Sequence, residues 1–184
     1  AVGDTYTLWS GFGQAVILCL IQLGGLGFMT AAAAVSFLLN RRIGLRQRML
    51  LAQAFSLNEL EGAVRLVRHV LAGTILFEAA GAAVLTLRFS LQYPFLTALN
   101  WGVFHAVSAV CNAGFDLFGQ LEPGSSLALF AGDWTVNLVL IVLISAGGLG
   151  FFVWEELLQK RSLRRLSVYA RLVLVLSGAL AVLG

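Results

Sequence analysis

Charge is what this sequence has least of. Asp, Glu, Lys and Arg make up 11% of its 184 residues while apolar residues make up 59%, against roughly 25% and 45–50% in soluble domains. A water-wetted globule is excluded, and the chain belongs in a bilayer. Cysteine is nearly absent too: Cys19 and Cys111 lie in apolar segments far apart, which excludes a disulfide framework, a cysteine metal site and redox chemistry. No even series of short alternating segments suggests a membrane barrel. Several apolar stretches instead approach or exceed the ~20 residues a helix needs to cross a hydrocarbon core, so helices do the spanning. The chain opens on Ala1-Val2-Gly3-Asp4 without methionine or a signal peptide and is expected to be the middle of a longer protein.

Three long apolar stretches follow a first one. Span A runs from about Leu8 to Leu39 with Gly24, Gly25 and Gly27 near its middle, where a kink or tilt is expected. Ser56 and Glu59 have capping-box spacing ahead of span B, about Leu66 to Leu87. Phe95 to Phe115 comes next, and span C covers about Trp134 to Trp154. Of the 12 basic residues, 11 fall within 41–68 or 160–171 and only Arg88 lies elsewhere, so the positive-inside rule puts both basic loops on the cytoplasmic side. Two inside loops require an even number of crossings between them. Phe95 to Phe115 is therefore the stretch that enters and leaves by the outer face, since Pro94 and Asp116 bound it and Asn112-Ala113-Gly114 is poor helix material. Non-helical backbone at that depth is tolerated only when buried in protein or lining a water-filled path. A pore or binding cavity follows.

An internal repeat supports this topology. Gly24-Gly25-Leu26-Gly27-Phe28 recurs letter for letter as Gly147-Gly148-Leu149-Gly150-Phe151, an offset of 123 residues (147 minus 24) at which Gln14 meets Asn137. An arginine cluster follows each copy, so both have the same orientation. One unit is thus inward helix, basic loop, outward helix, re-entrant segment, inward helix. The fold class is all-α and polytopic, with tandem helix, re-entrant loop, helix units around an ion pore. Residues 1–45 are read as the inner helix of a first unit with its basic loop. Residues 46–165 form a second unit, with its outer helix at about 66–87, pore helix and filter at about 95–115, and inner helix at about 127–159. Residues 166–184 begin the outer helix of a third.

The candidate site is the end of the re-entrant segment. If the half-helix from about Phe95 to Val110 dips inward from outside, its C-terminal partial negative charge favours a cation at the bilayer centre. The carbonyls of Cys111, Asn112, Ala113 and Gly114 are the candidate metal-ion ligands, able to replace a hydration shell. Asn100-Trp101-Gly102-Val103-Phe104-His105-Ala106-Val107-Ser108-Ala109-Val110-Cys111-Asn112-Ala113-Gly114-Phe115, set between an outward and an inward helix, resembles a pore unit of the Trk/Ktr/HKT potassium transporter superfamily. Ile21-Gln22-Leu23-Gly24-Gly25-Leu26-Gly27-Phe28-Met29-Thr30 is similar to the inner helix closing the first unit of KtrB-type members. The resemblance implies selective potassium permeation across the bacterial cytoplasmic membrane. It further implies four units in one chain with a glycine at the centre of each filter, a dimer, and a cytosolic nucleotide-binding regulatory ring as partner. No cofactor beyond the transported ion and no enzymatic activity are expected. A secondary transporter of another solute with broken helices, or a member of the same superfamily that also conducts sodium, are the alternatives.

Other residues carry two readings each. Glu78 within span B is either a counter-charge or the partner in a structural hydrogen bond. The glycine clusters are gating hinges or, more often, sites of close helix packing. Asp116, Glu122 and Asp133 lie on the outer side and either concentrate cations at the mouth or belong to an ordinary solvated loop. His105 and Cys111, six residues apart on a helix, do not share a face and make no nucleophile pair.

Overall fold

The computed structural model describes residues 4–26, 49, 60–160 and 166–183. Arg41, Arg42, Arg46 and Arg48, the Ser56/Glu59 box, and Arg161, Arg164 and Arg165 lie outside the described residues. Every regular element among the described residues is a helix. A single turn α1 (Thr5–Leu8) precedes α2 (Gly11–Leu26), followed by α3 (Leu60–Ser90), α4 (Phe95–Val110), α5 (Trp134–Gly148), α6 (Phe151–Lys160) and α7 (Val168–Leu183). Short 3₁₀ turns at Phe118–Gln120 and Ser126–Phe130 fill the outer loop. Val67–Ser90 of α3 is the one stretch among the described residues that is long and apolar enough to cross a bilayer as a single helix. The other apolar helices, such as Phe95–Val110 and Trp134–Gly148, are shorter.

The α3–α4 hairpin is the core of the unit. Tyr93 N–H closes the turn on the Phe89 carbonyl at 3.0 Å, and Pro94 starts α4 in the extended backbone that a helix start requires. Glycine lets the two helices meet: a β-carbon at Gly102 would lie 2.9 Å from both the Ala82 carbonyl oxygen and the Thr86 nitrogen. At the outer end Phe89, Trp101, His105, Phe118 and Phe130 pack ring against ring, with Phe89 edge-on to Trp101 and His105 stacked on Phe118 at 4.2 Å. Phe89, Trp101 and Phe118 are almost wholly buried, so this cluster fastens the outer loop onto the hairpin. Burying each such ring contributes about 1.5–3 kcal/mol.

The 123-residue repeat holds at the level of hydrogen bonds. Ser10 Oγ accepts from Gly13 N–H, and Asp133 Oδ1, in the equivalent place, accepts from Val136 N–H. One turn on, Gln14 donates its amide back to the Trp9 carbonyl, and Asn137 donates to the Ala131 carbonyl at 2.8 Å. In both copies an amide side chain satisfies carbonyls left open ahead of the helix.

Residues 127–159, expected as one inner helix, are not continuous. The helix starts at Trp134, behind the Asp133 cap, and breaks between Gly148 and Phe151, where Gly150 takes φ +80°. Left-handed backbone at Gly150 cannot propagate a helix. Trp154 bridges the break by donating its indole N–H to the Ala146 carbonyl at 2.9 Å. Beyond it, Glu156 accepts from both the N–H and the hydroxyl of Ser167, at 2.7 Å each, tying α6 to the start of α7.

Arg88, the base outside the two basic clusters, bonds the Asp133 carboxylate at 2.7 Å. The same carboxylate caps α5 through Thr135 and Val136 N–H. In the full-length protein, Asp133→Ala should cost about 1–2 kcal/mol by losing a helix cap and a half-shielded ion pair, whereas Arg88→Ala loses only the pair, at about 0–1 kcal/mol. Thermal unfolding of the purified variants should show the larger drop for Asp133→Ala; equal drops would mean that the cap contributes nothing.

Candidate cation site at the end of the re-entrant helix

Helix α4 stops at Val110, as the sequence suggested, and its ending is chemically specific. Asn112 adopts φ +52°, a left-handed conformation that asparagine tolerates better than most residues. That turn sends Asn112 N–H to the Ala109 carbonyl at 3.1 Å and Ala113 N–H to the Ser108 carbonyl at 2.9 Å, while Cys111 N–H bonds Val107. This pattern satisfies the carbonyls of residues 107–109, and no hydrogen bond found among the described residues reaches that of Val110. It also consumes the N–H groups of residues 111–113. The hydrogen bonds found among the described residues leave the carbonyls of Cys111, Asn112, Ala113 and Gly114 uncommitted.

Gly114 takes φ +72°, and a β-carbon there would meet no atom within 4 Å. Its requirement for glycine is therefore conformational rather than steric. Phe115 returns the chain outward under the control of Ser108, whose hydroxyl accepts from Phe115 N–H at 2.9 Å and donates to the Phe115 carbonyl at 2.7 Å. Two residues on, Leu117 N–H donates to His105 Nε2 at 3.3 Å, while His105 Nδ1 lies 2.7 Å from the Trp101 carbonyl. A carbonyl can only accept and an N–H only donate, so this buried imidazole carries its proton on Nδ1. Sequence reasoning set His105 aside and did not single out Ser108. Both are the brackets between which residues 109–116 hang.

The repeated glycines approach this segment from two sides. A β-carbon at Gly25, on α2, would overlap the Cys111 side chain and lie 3.1 Å from its Cα; one at Gly147, on α5, would overlap the Val110 carbonyl oxygen and come within 3.1 Å of Asn112 Nδ2. Close packing is thus what these two glycines provide. Gly25, Gly147 and Cys111 also border a cavity of about 240 Å³ reaching Phe77 and Trp154, and Ser108, Asn112, Gly114 and Asp116 border a second of about 170 Å³ on the outer side.

The outer acids are engaged elsewhere. Asp116 accepts from Phe118 N–H at 3.1 Å and from Ser126 Oγ at 2.8 Å, and Asp133 is held by Arg88 and its helix cap. Glu122 is exposed in the loop. Glu78 lies beside Gln22 of α2, and its Oε1 is buried without a hydrogen-bond partner among the described residues. Cys19 and Cys111 are both free thiols.

Comparison with known proteins agrees with this architecture. The chain is 39% identical over 174 residues to the Ktr system potassium uptake protein B of Bacillus subtilis, covering 95% of this chain and 38% of that protein. It is 32% identical over 183 residues to the potassium/sodium uptake protein NtpJ of Enterococcus hirae, covering 98% of this chain and 39% of the other. The Ktr system potassium uptake protein B of Vibrio alginolyticus is 30% identical across the whole chain and 40% of its own length. The chain therefore spans about two fifths of the length of the curated relatives it matches. The family profile described as "TrkH: Cation transport protein" matches residues 2–179, nearly the entire sequence, and the chain belongs to the TrkH family of cation transport proteins.

Proposed function

We propose that this chain supplies one complete pore unit of a potassium uptake protein, in which the carbonyls of Cys111, Asn112, Ala113 and Gly114 line one quarter of a selectivity filter. The observation that carries this reading is the ending of α4. Its N–H groups fold back into the helix while four successive carbonyls are left for an ion, and the negative end of the helix dipole lies behind them. Potassium, rather than another cation, rests on the names of the relatives; one of them carries sodium in its name as well. A half-helix C-terminus at the site speaks for a cation rather than an anionic solute. Permeation by dehydration and rehydration needs no covalent step, no enzyme chemistry and no cofactor other than the ion.

Under this reading residues 1–45 close a first unit, 46–165 form the second, and 166–184 open a third in a multi-pass protein of the bacterial cytoplasmic membrane. The working assembly is a dimer embedded in lipid and resting on a cytosolic nucleotide-binding regulatory ring, against which the basic segments 41–68 and 160–171 lie. The same charges orient the chain by the positive-inside rule.

Two measurements bear on it. Cysteines substituted singly at Glu122 and Lys160, both exposed, should be labelled by an impermeant thiol reagent only from outside and only from inside, respectively. Labelling of the cysteine at 122 from inside and of that at 160 from outside would mean that residues 95–115 cross the membrane, and would remove the re-entrant assignment. Gly114→Ser in the full-length protein should insert normally, because open space surrounds the new β-carbon. It should nevertheless strain the left-handed backbone by roughly 1–2 kcal/mol, which displaces the carbonyls and lowers apparent potassium affinity about tenfold, since 1.4 kcal/mol is a factor of ten. Sodium should then compete in rubidium uptake. Ala113→Ser, which adds no β-carbon, should do less. Unchanged affinity and sodium discrimination in Gly114→Ser would show that residues 111–114 are not the filter.

A further inference from the structure

Glu78 is a charged residue at membrane depth that the filter carbonyls do not account for. It sits eleven residues beyond Val67 and twelve short of Ser90, at the middle of the spanning stretch of α3. Between His69 and Arg88 it is the only charged side chain on that helix, and α2, α4 and α5 carry no acidic or basic residue other than His105. The His105 imidazole is committed to Trp101 and Leu117. A carboxylate buried without a cation is costly, and an ionisable group at this depth ordinarily has a partner. Here Oε1 is buried and accepts no hydrogen bond among the described residues.

Its surroundings place it against the filter segment. Glu78 lies beside Gln22 of α2, and one turn along that helix Gly25 is pressed against Cys111, where a β-carbon would lie 3.1 Å from the Cys111 Cα. Residues three apart share a helix face, so Glu78 and the start of the filter segment meet the same side of α2. The Glu78 charge is within reach of the Cys111 thiol. From α5, Leu143 packs on Gly81, one turn from Glu78, and brings no charge. We propose that the cation this carboxylate lacks is the permeating ion. Glu78 is then an affinity-determining residue that never touches the ion: a fixed negative charge behind Cys111, adding to the negative end of the α4 dipole. The low dielectric of the packed helices lets that charge act across the intervening backbone. This inference rests on the assignment of residues 111–114 as the filter.

The test uses the purified full-length protein and its melting temperature as a function of potassium chloride, with choline chloride holding the ionic strength constant. A ligand that binds only the folded state raises the melting temperature once its concentration passes the dissociation constant, so the titration reads ion affinity apart from transport. Glu78→Gln keeps the size of the side chain and removes the charge. Without potassium it should melt at or above the parent's temperature, because a bare carboxylate no longer has to be buried. The potassium concentration at which melting begins to climb should be about tenfold higher than in the parent. Glu78→Asp keeps the charge and should stay close to the parent. A structural hydrogen bond, or an ion pair with a basic residue of another unit, would instead lower the melting of Glu78→Gln at every potassium concentration and leave that onset where it is. Such a result overturns the proposal. Gly114→Ser, titrated alongside, separates the two readings. A shifted onset in Gly114→Ser with a parental one in Glu78→Gln removes the role of Glu78 and leaves the filter, whereas parental onsets in both remove the filter and this inference with it.

Discussion

The fold turns on how a membrane helix is allowed to end halfway. A helix terminus normally leaves four carbonyls without partners, and at bilayer depth no water is available to satisfy them. Helix α4 meets this constraint by reversing at Asn112, so that the N–H groups of residues 111–113 serve the carbonyls of residues 107–109. The deficit is not abolished but moved along the chain, to the carbonyls from Val110 to Gly114. Oxygens left in that position suit a positively charged, partly dehydrated partner, which is the physical basis of the proposed filter.

Holding that ending in place requires backbone-to-backbone proximity, which side chains would prevent. The glycines of α2 and α5 supply it from two sides, while Gly81 on α3 makes room for the Leu143 side chain of α5, whose Cδ1 would lie 2.5 Å from a β-carbon there. Association of apolar helices in lipid gains little from the hydrophobic effect, so close van der Waals contact has to do more of the holding. The aromatic cluster around Phe89 and Phe118 secures the outer loop by burial instead. Inner and outer halves are therefore held by different physics.

How much of this was legible in the sequence depends on the range of the interaction. Pro94 and the Asn112-Ala113-Gly114 run bracket α4 locally, and both its limits and the positive φ of Gly114 were readable from residue type alone. The letter-for-letter repeat announced equivalent helices, and the paired side-chain amides Gln14 and Asn137 followed. What escaped reading were contacts between residues 7 to 45 positions apart: Ser108 with Phe115, His105 with Leu117, and Arg88 with Asp133. A serine or histidine in an apolar run signals that a partner exists but not which one. The break after Gly148 was hidden for another reason, since a glycine cluster is equally compatible with a bent helix, a packed one and an interrupted one.

One small contact has a mechanical consequence. Asp4 caps α1 through Tyr6 N–H at 2.8 Å and, with its second oxygen, accepts from Gly124 N–H at 3.1 Å across 120 residues. The single turn ahead of the inner helix of one unit is thereby stitched to the outer loop of the next, and the same loop is riveted to α3 and α5 by Arg88 and Asp133. At the opposite end, α6 is separated from α5 by the break at Gly150 and spliced across it by the Trp154 indole. The unit is built like a rod clamped at its outer rim and jointed near its inner end.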